Sequence, residues 1–394
     1  KYKKLFELIS NSKRPIMVIG AGVRISNSEV LVKQIQKKLN IPIAPSWSAQ
    51  DMWNSNSDFV TGSFGTHGTR AGNFIVQNCD LLISIGARLS TRETGSPLSS
   101  FARSAKFVVI DIDKFELEKF SKFGKKTDLS FKMSVNNFCK SFIKYSHKIY
   151  IKNKYKDWYK YIKTTKKKYP VVPKKPLVIK NSINPYIFFN DLDKFVSKSE
   201  NIFVDTGSTI AWIMQAFKFN SKIRVMHDFN NTAMGYALPA SIGGILAGKN
   251  KHVTCVAGEG SFMMNIQELS TIQRYKLPIN IILINNNGYS MVKQTQDQWL
   301  NSKYYATSAR GGLSFPNFKD IAISYGLKYS LINQDKLINS TLKRCYKNRS
   351  ARIIEVIVDT KQRVIPQSRF GFPIEDSDPM LSRKEFSSNM LINN

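Results

Sequence analysis

The stretch VAGEGSFMMNIQELSTIQRYKLPINIILINNNGYS, residues 256–290, decides the fold of the second half of the chain. Two apolar, strand-like runs, His252–Ala257 and Ile279–Asn285, flank a segment with the period of an amphipathic helix, Phe262–Tyr275. A strand–helix–strand unit of this length joins parallel strands, whose C-terminal ends lie at one edge of the sheet. The sequences GEGS and NNNG, which follow the two runs, are therefore expected to lie close together.

Ligands of open parallel sheets bind at this edge, so Glu259 and Asn286 are expected to face one another there. A carboxylate, an amide oxygen and a loop carbonyl form a set of hard oxygen ligands that leaves positions open for water and phosphate, which suits Mg²⁺. Ser261 begins the predicted helix, whose free N–H groups favour a phosphate. The sequence thus predicts an ion and a diphosphate side by side. Taken singly, Glu259 could cap a helix and the asparagines could form a turn.

Composition narrows the class of protein. The chain has 394 residues, 42% of them hydrophobic, and a net charge of +31. The lysines are spread along the chain, which favours a proteome-wide compositional bias over a nucleic-acid interface. The four cysteines form no CxxC pair, and no apolar run reaches membrane-spanning length. We therefore expect a cytoplasmic protein with reduced thiols, without a zinc site or a membrane partner.

Strand-like runs alternate with helical patterns in both halves, which predicts an α/β protein with two doubly wound parallel-sheet domains. A lysine-rich segment closed by prolines separates the two series and is interpreted as a solvated helix and linker. The tail has turns but no strong period. The predicted bounds are a first domain at 1–146, the lysine-rich helix and linker at 147–183, a second domain at 184–370 and a C-terminal tail at 371–394.

These motifs resemble a known family. GEGSF…NNNG is similar to the thiamine diphosphate motif, a GDG tripeptide followed one helix and one strand later by NN. The surrounding sequences NTAMGYALPASIGG (231–244), FMMNIQEL (262–269) and MVKQTQ (291–296) resemble the acetolactate synthase-like branch. RPIMVIGAG (14–22), GTHGTRAGNF (65–74), CDLLISIGARL (79–89) and FVVIDID (107–113) resemble the central domain of that family, a modified Rossmann-like sheet of six strands. The resemblance spans nearly the whole chain.

The resemblance implies two cofactors, thiamine diphosphate and Mg²⁺. It implies that the metal ligands are Glu259, Asn286 and the carbonyl of Gly288. It places Ser208, Thr209, Gly260 and Ser261 against the diphosphate. Met234 matches the bulky residue that holds the cofactor in its bent shape, and the backbone around Thr232 would accept a hydrogen bond from the aminopyrimidine. Met291 and Val292 match positions that line the reaction pocket. Without the motif, Met234 would be interpreted as core filler.

The sequence departs from the family pattern in three places. Glu259 replaces the aspartate of GDG, so its extra methylene must be accommodated. Thr295 replaces the pocket tryptophan that favours a larger ketoacid acceptor. The chain begins where the central domain of the family begins, whereas the glutamate that protonates the aminopyrimidine belongs to a preceding domain. We therefore expect a fragment of a longer protein, or a subunit whose partner completes the cofactor site, and assign no acid–base catalyst to this chain.

The first domain carries a weaker signal. IGAGV lacks the full dinucleotide spacing, and the corresponding domain of the family holds FAD in some members and ADP or nothing in others. The positions that match this site are His67, Gly68, Gly86, Ala87, Arg88, Asp111 and Asp113. His67 is equally compatible with a hydrogen-bonded loop histidine.

The leading functional hypothesis is a thiamine diphosphate-dependent carboligase or decarboxylase acting on a 2-ketoacid such as pyruvate, assembled as a homo-oligomer (a dimer or tetramer). A second hypothesis is acetyl transfer to a keto-sugar in surface-polysaccharide synthesis, since GARLSTRETG and the tail resemble such homologues. A third, of another class, is a non-catalytic basic nucleotide or nucleic-acid binding protein. A nicotinamide oxidoreductase built on the first domain ranks last.

Overall fold

The computed structural model describes residues 1–146, 154–173, 180–196, 200–248 and 252–392. The chain divides into two compact units: Lys1–Pro170 together with Ile365–Asn394, and Val171–Val364. Each unit is built on its own parallel sheet with helices around it, which confirms the predicted fold class. No helix among these residues is long and apolar enough to cross a bilayer.

The first unit contains a five-stranded sheet in the order β2-β1-β3-β4-β5, one strand fewer in the described residues than the six that the resemblance implies. Its strands are β1 (Pro15–Ile19), β2 (Ile43–Pro45), β3 (Leu81–Ile85), β4 (Lys106–Asp111) and β5 (Leu129–Lys132). Its helices before residue 170 are α1 (Tyr2–Asn11), α2 (Gly22–Ile25), α3 (Glu29–Leu39), α4 (Arg70–Gln77), α5 (Thr91–Thr94), α6 (Lys114–Lys122), α7 (Val135–Tyr145) and α8 (Lys156–Lys168).

The second unit contains a six-stranded sheet in the order β10-β11-β9-β8-β6-β7. Its strands are β6 (Asn201–Val204), β7 (Arg224–Met226), β8 (Val253–Gly258), β9 (Ile279–Asn285), β10 (Lys328–Ile332) and β11 (Arg352–Ile357). Its helices are α9 (Pro185–Leu192), α10 (Ser208–Ala216), α11 (Ala237–Leu246), α12 (Glu259–Met263), α13 (Glu268–Arg274), α14 (Ser290–Trp299), α15 (Phe318–Ser324) and α16 (Ile338–Lys347).

The strand order of the second unit fixes where a ligand can bind. The chain leaves β6 for β7 on one side and then returns to β8 on the other side of β6. The crevice between the C-terminal ends of β6 and β8 is therefore the topological switch point, the usual ligand position in such sheets. The four inner strands, β6, β8, β9 and β11, are mostly buried, because both faces of a parallel sheet are covered. In the first unit the corresponding switch point lies between β1 and β3.

The predicted continuous helix Phe262–Tyr275 is wrong in its middle. The segment forms two helices, α12 and α13, that are separated at Met264–Gln267. Asn265 lies in this break, and its Nδ2 donates to the carbonyl oxygen of Gly235 at 2.6 Å. The first helix also begins earlier than predicted, at Glu259, so Ser261 lies within its first turns and not before it.

The lysine-rich segment and the tail are divided differently from the predicted bounds. Residues 147–153 and 174–179 of the segment lie outside the described residues. Helix α8 belongs to the first unit, because Trp158 and Ile162 are buried in its core and Trp158 Nε1 donates to Pro15 O at 2.9 Å. The tail also belongs to this unit, where it forms a short hairpin, β12 (Gln367–Ser368) with β13 (Ser377–Asp378), and α17 (Arg383–Asn389).

Glu375 fixes the tail to the first unit. Its side chain is fully buried, accepts a hydrogen bond from Gln77 Nε2 at 2.6 Å and pairs with Arg103 at 2.6 Å. We expect Glu375→Ala to lower the free energy of unfolding of this unit by about 3 kcal/mol, because it removes a buried carboxylate that pairs with Arg103 and accepts a hydrogen bond from Gln77. Urea denaturation followed by circular dichroism measures this. The exposed Glu7 on α1 of the same unit, replaced by Ala, is the control, and an equal effect of the two substitutions would contradict the assignment.

All four cysteines are free and buried. Burial raises the pKa values of the Cys79, Cys139 and Cys255 thiols to about 12, so these three are inert core residues at neutral pH.

Candidate functional site

The ends of β8 and β9 meet as the sequence predicts. Glu259 Oε1 accepts hydrogen bonds from the backbone N–H of Asn286 at 3.2 Å and of Gly288 at 2.7 Å. The side chain of Glu259 thus spans the gap between the two strand ends. Burial raises the pKa of this carboxyl to about 7, although the two N–H donors and the charge of Lys293 oppose the shift.

The three consecutive asparagines have different roles. Asn285 Nδ2 donates to Glu355 Oε1 at 2.6 Å, which fixes the end of β9 to β11. Asn287 is exposed and adopts a left-handed conformation, with φ of 51°, so it forms the turn. Asn286 is buried, and its Oδ1 has no hydrogen-bond partner. An unpartnered buried amide oxygen is costly, so Asn286 is the asparagine that is suited to a ligand.

The donor set can be tested for a divalent ion. The described residues contain no group of three or more His, Cys, Asp and Glu side chains that could hold a metal. The set predicted here contains one carboxylate, one amide oxygen and one carbonyl, and such mixed sets with water and phosphate suit Mg²⁺. The unpartnered Asn286 Oδ1 next to the buried Glu259 fits this ion.

The switch point lies next to these residues and contains open backbone and an unpartnered hydroxyl. Gly207, with φ of 93°, precedes α10, and the space beside its Cα is open. Ser208 follows it, and the Oγ of this serine is buried without a partner. Thr209 faces the end of β8, since a Cβ built on Gly258 would lie 3.6 Å from Thr209 Oγ1. The start of α10 therefore offers free donors to a negatively charged group in the crevice.

Gly260 lies at the same strand end, where only a residue without a side chain fits. A Cβ at this position would overlap the ring of Tyr289. Ser261, in the same helix, hydrogen-bonds Asp205 at the end of β6. Four of the predicted diphosphate contacts, Ser208, Thr209, Gly260 and Ser261, therefore surround the two strand ends at the switch point.

Asp205 is a buried carboxylate next to the candidate site, and the sequence did not single it out. It is buried at the end of β6 and accepts hydrogen bonds from the backbone N–H of Gly235 and Ala237, both at 3.1 Å. Burial raises the pKa of this carboxyl, although these N–H donors oppose the shift. Asp205 therefore fixes the loop of Thr232 and Met234 to the strand end. An acidic residue directly after an apolar strand, before Thr-Gly-Ser, was the available signal.

The loop that Asp205 fixes has a special conformation. Thr232 adopts a left-handed conformation, with φ of 53°, and its N–H donates to Asp228 O at 2.7 Å. Met234 is 39% exposed, whereas core filler would be buried, so the alternative interpretation of this methionine is wrong.

We expect Asp205→Ala to destabilise the second unit by about 3 kcal/mol, because it leaves the Gly235 and Ala237 N–H groups unpaired. Hydrogen exchange of these two amides should accelerate far more than exchange in β10 and β11. Asp205→Asn, which retains one oxygen, should have a smaller effect. Uniform acceleration across the sheet would contradict a local tether.

The predicted pocket residues share one surface of α14. Val292 and Thr295 are exposed, Met291 is half-buried, and Thr295 Oγ1 donates to Met291 O at 3.3 Å. The opposite face of α14 is buried and polar: Gln294 Nε2 donates to Val364 O, and Gln296 Nε2 donates to Tyr305 O. The apolar surface of this helix is therefore the one that remains accessible.

The seven positions predicted for a possible FAD site lie in different parts of the first unit. Gly86 and Ala87 lie at the β1–β3 switch point, where Gly22 N donates to Gly86 O at 2.9 Å. Arg88 pairs with Glu116 at 2.9 Å on the surface. Asp111 and Asp113 accept hydrogen bonds from backbone N–H groups of their own loop.

His67 and Gly68 lie in the segment between β2 and α4. They do not belong to the loops that follow β1 and β3, which form the switch point. His67 Nδ1 contacts Thr66 Oγ1 at 3.2 Å, and Nε2 contacts Gln367 Nε2 at 3.1 Å. Burial and the neighbouring Arg92 lower its pKa to about 4. None of the buried unpartnered side-chain atoms in the described residues belongs to the seven predicted positions, so no unpartnered side-chain group there points to FAD.

Comparison with known proteins follows the same division of the chain. The family model of the thiamine pyrophosphate enzyme central domain matches residues 2–140, and that of the C-terminal TPP binding domain matches residues 205–356. The chain belongs to the thiamine pyrophosphate enzyme family, as its strand ends and glycine positions indicate.

Its relatives within that family include acetolactate synthase large subunits. The chain is 32% identical to the acetolactate synthase large subunit of Porphyra purpurea over 366 residues, which cover 91% of this chain and 59% of the relative. It is 30% identical to the probable acetolactate synthase large subunit of Methanococcus aeolicus (91% and 60% covered). It is 28% identical to the acetolactate synthase isozyme 1 large subunit of Escherichia coli strain K12 (91% and 61% covered). The chain thus spans about three-fifths of the length of these relatives.

Proposed function

We propose that this chain is the part of a thiamine diphosphate- and Mg²⁺-dependent carboligase or decarboxylase that binds the diphosphate end of the cofactor. The observation that carries the proposal is the buried, unpartnered Asn286 Oδ1 beside Glu259 at the sheet edge where Ser208 Oγ is also unpartnered. One ion bound to a diphosphate would explain all three groups together, whereas otherwise each would need a separate explanation.

In this proposal, Glu259, Asn286 Oδ1 and the Gly288 carbonyl hold Mg²⁺. Ser208, Thr209, Gly260 and Ser261 bind the phosphoryl oxygens through hydroxyl and backbone donors. Asp205 holds the loop whose Thr232 backbone and Met234 side chain orient the rest of the cofactor. Thiamine diphosphate, when bound, supplies the carbon nucleophile and electron sink for cleavage of a 2-ketoacid. We assign no proton transfer at the aminopyrimidine to this chain.

The substrate class follows from the relatives, which are named acetolactate synthases. We propose a 2-ketoacid such as pyruvate as donor, because decarboxylation of such acids is the chemistry that the cofactor supports. The accessible apolar surface of α14, formed by Met291, Val292 and Thr295, would face the acceptor.

A keto-sugar acceptor is the second candidate. Thr295 is small and exposed, so it leaves room on α14 for an acceptor larger than a ketoacid. Incubation of the complete protein with pyruvate and either 2-ketobutyrate or a nucleotide-linked keto-sugar separates the two, since the acceptor that is consumed identifies the reaction.

We also propose FAD as a structural ligand of the first unit and assembly as a cytoplasmic homo-oligomer. The position of Gly86 and Ala87 at the β1–β3 switch point, where Gly22 N donates to Gly86 O, supports the first, because ligands of such sheets usually bind there. The exposed apolar side chains of Met234 and Val292 support the second, because such positions are usually covered in an assembly. Flavin absorbance of the purified protein and sedimentation velocity test the two statements separately.

The direct test of the proposed function is calorimetric titration of the full chain with thiamine diphosphate, with Mg²⁺ or with EDTA. We expect saturable binding that depends on the metal, since the diphosphate and the ion share one site. Failure to bind thiamine diphosphate with Mg²⁺, combined with retention on heparin that collapses at modest salt, would favour the basic binding protein instead.

A further inference from the structure

Lys293 is a buried cation that the proposed metal and diphosphate contacts do not use. It lies on α14 and is only 3% exposed. Its side chain packs directly against Gly288, since a Cβ on that glycine would overlap Lys293 Nζ and Thr307 O. Within the described residues, Lys293 Nζ makes no hydrogen bond and no ion pair. An ammonium with little solvent contact and no protein partner is costly, so a ligand-directed role is indicated.

The neighbouring charges do not satisfy this ammonium. Glu259, Asp297 and Asp359 attract it and Arg363 repels it. Asp297 is already bound by Arg363 Nε at 2.6 Å and by Tyr304 OH at 2.5 Å. Glu259 Oε1 is bound by the N–H groups of Asn286 and Gly288. The positive charge of Lys293 is therefore not neutralised by an ion pair in the described part of the chain. It lies next to Gly288, in the loop that carries the proposed metal ligands.

We propose that Lys293 is a fixed cation of the diphosphate site, which attracts the pyrophosphoryl group and opposes the divalent ion. The inference rests on the proposed function, because it assigns a charge to the same site. In a poorly hydrated site, a charge acts on both ligands over several ångströms, with opposite signs for an anion and a cation. Lys293 would allow the chain to retain part of its pyrophosphate affinity when no metal is present, and would make the metal bind well only together with the anion.

The test separates the two ligands. Inorganic pyrophosphate in EDTA probes the anion alone, by calorimetry, and Mn²⁺ without phosphate probes the metal alone, by electron paramagnetic resonance. In Lys293→Met, which keeps the length of the side chain, we expect pyrophosphate affinity to fall about tenfold and Mn²⁺ affinity to rise about tenfold. Lys293→Arg keeps the charge and should leave both affinities near those of the parent chain.

The proposal is tested by the directions in which the pyrophosphate and Mn²⁺ affinities change. A merely structural lysine would weaken both ligands in Lys293→Met, and that result would overturn the proposal. Equal changes in Lys319→Met, an exposed lysine on α15, would also overturn it, because they would show an effect of net charge alone. Failure of the parent chain to bind thiamine diphosphate with Mg²⁺ would refute the proposed function itself. Intact binding with unchanged affinities in Lys293→Met would refute only the role of Lys293.

Discussion

Replacing Asn286 with Ala is expected to lower the affinity of the chain for thiamine diphosphate with Mg²⁺ about 100-fold, because it removes an oxygen ligand to a charged centre. The same change should leave the folded chain as stable as before, or slightly more stable. Asn286 Oδ1 has no partner in the structure, so its removal breaks no hydrogen bond and relieves a buried unpaired acceptor. Calorimetric titration and thermal unfolding of the same preparation measure both effects.

Asn287→Gly is the matched control for Asn286→Ala. Asn287 is the next residue, is exposed and has a positive φ, which glycine adopts without strain. Its backbone N–H still donates to Asn285 Oδ1. We expect cofactor affinity to remain within about twofold of the parent chain. If Asn286→Ala lost stability and kept its affinity, this asparagine would be a structural residue and the assignment of the metal ligand would be wrong.

Glu259→Gln is expected to have two effects of opposite sign. It should lower the affinity for Mg²⁺ and the cofactor about 100-fold, because a neutral amide replaces the carboxylate ligand. It should also stabilise the metal-free chain above neutral pH. The glutamine carbonyl can still accept from the N–H groups of Asn286 and Gly288, whereas the cost of burying the carboxylate charge disappears.

The pH dependence of this stabilisation has a defined sign. Burial raises the pKa of Glu259 from 4.5 to about 7 in the folded chain. The stability that this group contributes is therefore complete below pH 4.5 and is lost as the pH rises through about 7. Glutamine does not titrate, so Glu259→Gln should match the parent chain near pH 5 and exceed its free energy of unfolding by about 3 kcal/mol near pH 8.

Urea denaturation in EDTA across this pH range measures the difference between the parent chain and Glu259→Gln. Asp320→Asn, at an exposed position on α15, controls for the change in net charge. A constant difference between pH 5 and pH 8 would contradict the buried position of this carboxylate.

Much of the fold follows from local sequence patterns. The strand Ile279–Asn285 has the bounds that its apolar run predicts, because a central parallel strand is buried on both faces and bounded by turn residues. Helix α14 was not predicted, and its chemistry explains why. Its buried face carries Lys293, Gln294 and Gln296, whereas Val292 and Trp299 are exposed. The usual rule, apolar residues inward, fails for this helix, which carries the candidate pocket.

The candidate site was predictable where one side chain bridges two strand ends. Glu259 and Asn286 follow neighbouring parallel strands, so the topology alone brings them together. The different contacts of the three asparagines were not predictable, because Asn285 is held by Glu355 in β11, which is distant in sequence. Asp205 and Lys293 were missed for the same reason: their partners, Gly235, Ala237 and Gly288, are defined only by the folded loops.

The most direct measurement of the central claim is a crystal structure of the chain grown with Mn²⁺ and thiamine diphosphate, recorded at the manganese absorption edge. The account predicts one anomalous peak between the ends of β8 and β9, within coordination distance of Glu259, Asn286 Oδ1 and the Gly288 carbonyl, with phosphoryl density at Ser208. Manganese bound elsewhere, with Asn286 Oδ1 still unpartnered, would contradict it.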